Sequence, residues 1–439
     1  MQVFPAASVN GEISLPGDKS VSHRAAILLS MSTGTGRIEN FSASADCRAT
    51  VECLCELGVR IEADGARRTV TGVGKIGFRP PGTELDCQNS GTSMRLLAGL
   101  LAGQPFNSVL TGDESLKKRP MRRIIAPLGL MGCRIDSDDG KAPLRITGRN
   151  PLKGAEILPE AASAQIKSAV LLAGVNADGT TTVVEPVPTR DHTERMLRWL
   201  GVDVFTEPFG DGLRISVKGD EQPVARDIVV PSDISAATFF MVAAACLDGS
   251  DITMKNVGVN GTRRAIIDVL NELGADIRVT GRRESCNEPV ADINVRGGLR
   301  VSSGPNVIEG AVIANLIDEI PALAVFGTQL AGGLEIRDAG ELRIKESDRI
   351  AAIVENLRKM GADVDEFPDG FAVGRSRLKG VRLSSEGDHR IAMAFAVAAL
   401  FADGPTEVAG AECCGVSFPG FFDVLSAATA KVPFRERMI

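Results

Sequence analysis

The sequence predicts an α/β chain of two domains, built from six βαβαββ units with three units in each domain. Three observations carry that expectation. The 439 residues exceed the size at which one hydrophobic core stops growing. Five segments share a pattern of a helix, a closing glycine and two alternating apolar–polar runs, with the glycines at Gly58, Gly132, Gly201, Gly274 and Gly361. Six apolar, small-residue helices precede or alternate with them, at SHRAAILLS, TSMRLLAGLLAG, SAQIKSAVLLAG, SAATFFMVAAACL, IPALAVFGTQLAG and HRIAMAFAVAAL. Six units of roughly 73 residues consume the whole chain.

Taken in order, the first unit reads as a strand over Glu12–Leu15, a helix from Ser20, a strand over Arg37–Phe41, a helix over Ala45–Leu57 and a hairpin. Within that hairpin GVGKIG matches a dinucleotide fingerprint. It runs into Pro80-Pro81 rather than a helix, so the match is discarded. Upstream, Gly17-Asp18-Lys19-Ser20 mimics the end of a phosphate loop, but Asp18 stands where the second glycine is required. The passage between domains falls near Val230–Asp233. The sixth unit is worn, with no clear hairpin after SFPGFFDVL.

Composition narrows the function. Net charge is −7, tyrosine is absent and there is one tryptophan, a poor match to a protein that coats phosphate backbones or stacks bases. The longest apolar run, Phe239–Leu247, is far short of a membrane span, and the N-terminus shows no basic, apolar leader. Nine cysteines without zinc-type spacing and three histidines argue for buried thiols in a reducing cytosol, and against a metal site.

Against that acidic background, cations recur where helices begin, the end that disfavours them. Lys19, Arg24, Arg95, Lys167, Arg349 and Arg390 all sit near predicted helix starts, and Lys345 lies one turn before Arg349. Such ends converge on anions, because a bound phosphate or carboxylate reverses the penalty. Of the cluster Lys117, Lys118, Arg119, Arg122 and Arg123, the first two and Arg123 read as a solvated loop. Asp318 and Glu346 add carboxylates beside these cations, a pairing suited to proton transfer on an anionic substrate, although capping and ion pairing explain them as readily.

Eight segments in order, LPGDKSVSHR, NSGTSMRLL, RPM, SAQIKSA, TRDHTERM, DEIP, ELRIKESDR and GDHRIAMA, resemble the 5-enolpyruvylshikimate-3-phosphate synthase family over nearly the full chain. The resemblance implies the two-domain enolpyruvyl transferase fold. One domain comprises 1–18 with 232–439, the other is the inserted 19–231, and the active site lies in the cleft between them. It implies transfer of the enolpyruvyl group of phosphoenolpyruvate to the 5-hydroxyl of shikimate 3-phosphate, without metal or organic cofactor, by a cytoplasmic monomer, with inhibition by glyphosate. By position, Lys19 touches both substrates. Ser20, Arg24, Ser163, Ala164, Gln165 and Arg190 hold shikimate 3-phosphate. Gly91, Arg119, Arg349 and Arg390 hold phosphoenolpyruvate, with Asn89 and Thr92 shaping its loop. Asp318 accepts the hydroxyl proton, Glu346 protonates the methylene carbon and Lys345 supports the site.

The chain departs from the family's pattern at Val416, where a lysine is often found, and at Glu341, Arg190 and Ala164. A rival within the fold, the transferase acting on UDP-N-acetylglucosamine, needs a loop cysteine as acid, for which Cys87 is the candidate. A non-catalytic scaffold binding phosphorylated partners explains the repeats but not the paired acids. Gly91 has two readings, space beside a ligand or a turn with positive φ.

Overall fold

The structure is a computed structural model describing residues 1–160, 162–300 and 306–431. Apart from two short helices, Glu114–Lys118 and Ile313–Leu316, the α-helices among the described residues alternate in six pairs: α1 (Lys19–Ser30), α2 (Ala45–Glu56), α3 (Gly91–Ala102), α4 (Arg122–Leu130), α5 (Ala164–Gly174), α6 (His192–Trp199), α7 (Ile234–Cys246), α8 (Ala265–Glu272), α9 (Ile320–Gly327), α10 (Arg349–Lys359), α11 (His389–Leu400) and α12 (Phe421–Ala428). The first helix of each pair is largely buried, and in the later units it is apolar nearly all round. In α7 every residue from Ile234 to Ala245 is inside. The second helix of the first five pairs ends at a glycine with φ between 83° and 107°, the left-handed conformation that closes a helix most cheaply without a Cβ.

Each unit carries a small sheet. In the second, third and fifth units a two-residue strand runs parallel to the main strand, followed by the two strands of the hairpin. The first unit has the same order, but its leading strand is Ile228–Val229, parallel to Thr33–Glu39. The strand expected over Glu12–Leu15 is instead Ala6–Ile13, and it pairs in parallel with Asp251–Gly258 of the fourth unit. That fourth sheet has five strands, with Thr429–Lys431 at its edge. The worn sixth unit is completed from the N-terminus: Gln2–Val3 pairs antiparallel with Thr406–Ala409. In this unit Phe418 and Phe421 of the SFPGFF segment meet Phe239 and Phe240 of α7 in an aromatic cluster, with ring centroids 5.6–6.2 Å apart.

The chain divides into two compact units, each with its own core. The terminal unit comprises Met1–Leu15, Ser232–Arg283 and the described residues from Pro289 on. The inserted unit comprises Pro16–Pro231 with Glu284–Glu288. The boundary after residue 18 is thus corrected: the Asp18 N–H donates to the Pro231 carbonyl at 2.8 Å, inside the inserted unit. The five residues 284–288 also belong there, where the His192 ring meets Glu288 at 2.7 Å and Arg195 donates to the Asn287 carbonyl. No single helix among the described residues is long and apolar enough to cross a membrane.

Candidate active site

In the inserted unit, three inner helices begin with side-chain caps. Asp18 accepts from the Val21 N–H, Ser90 from Ser93 and Ser163 from Ile166. Lys19, first in α1, ends 2.8 Å from Asp46 in the first turn of α2. Ser20 gives its carbonyl to Arg24. Arg24 is buried, yet hydroxyls and that carbonyl meet its donors: Thr193 at 2.8 Å, Ser168 at 2.7 Å and Ser20 at 2.9 Å. Burial lowers its pKa to about 10, against the pull of Glu194, while Arg190 pushes the same way as burial. Two guanidiniums close enough to repel, one of them bonded only to neutral groups, are a place for an anion.

Gln165, second in α5, bridges to α3. Its amide donates to Thr92 at 2.9 Å and its carbonyl accepts from Arg95 at 2.7 Å. The two helices approach closely because Gly99 lacks a Cβ, which would lie 2.2 Å from the Ala169 carbonyl oxygen. Ser163 and Ala164 form the start of α5. Asn89 accepts from Arg119 at 2.7 Å and donates to Asp113 at 2.7 Å, fixing Arg119 against the NSGT loop. Gly91 settles its own question: its φ is not in the left-handed region, and a Cβ there would lie 2.8 Å from an Arg95 nitrogen and 3.4 Å from one of Arg119. The positive-φ turn reading therefore falls. Lys117 pairs with Glu114, and Arg122 with Asp139, both at the surface.

Behind this surface runs a buried hydroxyl chain. His23 meets Thr50 at 2.7 Å, Thr50 meets Ser93 at 2.6 Å, and Ser93 meets the Ser90 cap at 2.7 Å. Burial pushes the His23 pKa well below its ordinary value, and Lys19 and Arg24 push the same way.

In the terminal unit the centre is Arg349, first residue of α10 and 1% exposed. It donates to Glu346 at 2.6 Å and to Asp388 at 2.8 Å, and lies 3.5 Å from Asp318. Burial alone would lower its pKa, but Asp388, Glu346 and Asp318 together raise it. Arg390, second in α11, reaches the Asp318 carbonyl at 2.9 Å and its carboxylate at 3.5 Å. Lys345 is half-buried, and its pKa is lowered by removal of the ammonium from water, with Asp318 pulling the other way. Both predicted proton-transfer acids therefore contact one guanidinium. Glu319, beside Asp318, turns away: its carboxylate accepts from Ser235 and lies 3.9 Å from Arg263.

Of the residues expected at the site, Gly91, Thr92 and Gln165 meet around Arg95 with Asn89 and Arg119 alongside, and Asp318, Glu346 and Arg390 meet around or beside Arg349. One further cation reads wrongly from sequence. Lys167 is fully buried between Glu185 and Glu194 at 2.8 Å each, an internal ion cluster and not a ligand-facing charge. Sequence reasoning also missed Asp388, which both holds Arg349 and caps α11 by accepting from the Arg390 N–H at 2.9 Å. Its only signal was an acid directly before a helix that opens on a cation. Cys87 is fully buried, which removes it as a loop acid.

Comparison with known proteins gives one result. The family model described as EPSP synthase (3-phosphoshikimate 1-carboxyvinyltransferase) matches residues 3–425. A 3-phosphoshikimate 1-carboxyvinyltransferase of Geobacter sp. (strain M21) is 48% identical over 432 residues, 98% of this chain and 99% of that one. That of Pelotomaculum thermopropionicum is 50% identical over 430 residues, 97% and 98% of the two chains. A solved EPSP synthase from Acinetobacter baumannii superposes with a TM-score of 0.86 at 41% identity, covering 98% of both chains.

Proposed function

We infer a division of labour between the two units from one premise: the chain belongs to the EPSP synthase (3-phosphoshikimate 1-carboxyvinyltransferase) family. It transfers the enolpyruvyl group of phosphoenolpyruvate to the 5-hydroxyl of shikimate 3-phosphate, releasing phosphate. In the proposed division, Lys19, Ser20, Arg24, Ser163, Ala164, Gln165 and Arg190 of the inserted unit hold shikimate 3-phosphate. Arg119 and the Asn89–Thr92 loop of that unit hold phosphoenolpyruvate jointly with Arg349 and Arg390 of the terminal unit.

The observation that carries the reading is the single guanidinium of Arg349, in contact with both Glu346 and Asp318. Asp318 takes the 5-hydroxyl proton as the oxygen bonds to C2 of phosphoenolpyruvate. Glu346 gives a proton to C3, turning the methylene into a methyl group and leaving a tetrahedral ketal phosphate. Elimination then removes a proton from that methyl group and expels phosphate, restoring the double bond. Arg349, Arg390 and Lys345 stabilise the anionic oxygens while keeping the acids beside the reacting carbons. Two polyanions repel in water, so a preorganised set of cations supplies much of the rate.

The proposal includes a monomer working in the cytosol without nucleic acid or membrane partners. Nine cysteines present as free thiols suit a reducing compartment, and a net charge of −7 disfavours a polyanionic backbone. The direct test is phosphate release with both substrates and with each alone. Release only with both supports the reading, and release from phosphoenolpyruvate alone at the same rate defeats it.

A further inference from the structure

Arg190 sits in a loop that has little means of holding itself. Pro186 and Pro188 remove two backbone donors from the six residues between Glu185 and His192. The loop is held from below by Lys167 of α5. The three N–H bonds of its ammonium match three acceptors: Glu185 Oε2 at 2.8 Å, Glu194 Oε1 at 2.8 Å and the Thr189 carbonyl at 3.3 Å. Glu185 in turn accepts from the Thr189 N–H at 3.4 Å and from its hydroxyl. The residue immediately before Arg190 and the helix after it are therefore tied to one buried nitrogen. Lys167, Glu185 and Glu194 are all nearly inaccessible to water, with 1–4% of their side chains exposed.

We propose that Lys167 is a positioning residue for shikimate 3-phosphate: it fixes the loop that presents Arg190. The geometry supports this, since one buried nitrogen ties Glu185, Glu194 and the Thr189 carbonyl together. Removing Lys167 frees the loop and moves Arg190 without touching the phosphoenolpyruvate side.

The inference rests on the reading of Arg190 as a shikimate 3-phosphate ligand, and the experiment separates the two. Steady-state phosphate release is measured on the full-length enzyme, varying each substrate at saturation of the other, for Arg190→Ala, Lys167→Met, Lys167→Arg, Thr189→Val and the Arg190→Ala/Lys167→Met double variant. Expected are at least a tenfold rise in KM for shikimate 3-phosphate in Arg190→Ala and Lys167→Met, and at least threefold in Thr189→Val. KM for phosphoenolpyruvate and kcat should stay within about threefold, and Lys167→Arg should recover part of the loss. The double variant should be no worse than the poorer single one, because both lose the same contact. If Lys167→Met does not fold, Thr189→Val decides by the same split. Unchanged KM for shikimate 3-phosphate in folded Lys167 and Thr189 variants, equal rises in both KM values, or additive losses in the double variant overturn the inference while leaving Arg190 its role. An unaffected Arg190→Ala enzyme overturns both.

Discussion

Asp388→Asn is the sharpest test of the terminal-unit cluster, because the substitution changes charge and almost nothing else. Asp388 is fully buried, and one of its oxygens lies 2.8 Å from Arg349 Nε while the other accepts the Arg390 N–H. Asparagine can keep the cap but not the ion pair. Breaking a buried pair by removing one partner costs about 3–5 kcal/mol when the remaining charge is left uncompensated. Here Glu346 at 2.6 Å and Asp318 at 3.5 Å still face Arg349, so the expected loss falls at or below the bottom of that range, about 2–3 kcal/mol. Asp388→Ala also loses the cap and should cost about 1 kcal/mol more. Urea unfolding measures both, read on the transition of the unit that contains Asp388, since two units need not unfold together. Kinetics should show KM for phosphoenolpyruvate raised at least tenfold in Asp388→Asn, because a released Arg349 collapses further onto Glu346. Stability within about 0.5 kcal/mol of the parent, together with an unchanged KM, would refute the claim that Asp388 fixes Arg349.

Glu346→Gln and Asp318→Asn should each lower kcat by about 100-fold or more with smaller changes in KM, as loss of a proton-transfer group does; near-normal turnover in either would end its assignment. Gly91→Ala should fold normally and weaken glyphosate more than phosphoenolpyruvate, because the added methyl displaces guanidinium ends and no backbone. Equal inhibition of parent and variant counts against the pocket reading. The buried, neutral His23 gives a pH prediction. Its folded pKa is depressed, so its contribution is present above the unfolded pKa and is lost as pH falls from there through the folded value. In that window the parent should lose about 1.4 kcal/mol per pH unit more than His23→Gln, read from urea midpoints at pH 7 and below. Parallel pH profiles for the two proteins would show that His23 does not titrate this way.

What was legible in the sequence is what depends on near neighbours. A C-capping glycine, an all-apolar helix and a hairpin alternation are each decided within a dozen residues, which is why the repeat could be counted. Strand partnership is not local. Ile228–Val229 completes a sheet with Ile38 and Glu39, and two residues carry no alternation from which to read it. The same physics separates the cations. Lys19, Arg349 and Arg390 occupy the first or second position of their helices, where a long side chain can leave the helix end. Lys167 is fourth in α5 and Arg95 fifth in α3, a full turn inside, where the side chain lies against neighbouring elements.

Position alone, however, does not decide which buried cation serves a ligand. Arg24 is sixth in α1 and as deeply set as Lys167, yet it meets hydroxyls where Lys167 meets carboxylates. Thr193 and Ser168, which bind Arg24, lie 169 and 144 residues away in sequence. The groups around the buried Arg24 guanidinium are thus set by distant residues, and being neutral they leave it attraction to offer an anion. Lys167, enclosed in the core between two carboxylates, does not face a ligand, whereas Arg24, bonded to neutral oxygens, remains available. Arg24→Gln should on that ground cost shikimate 3-phosphate affinity more than stability. A full charge is lost toward the ligand, while the amide can still bond Thr193 or Ser168. Comparable losses in urea midpoint and in KM, or a loss of stability alone, would place Arg24 with Lys167 as a residue of the frame.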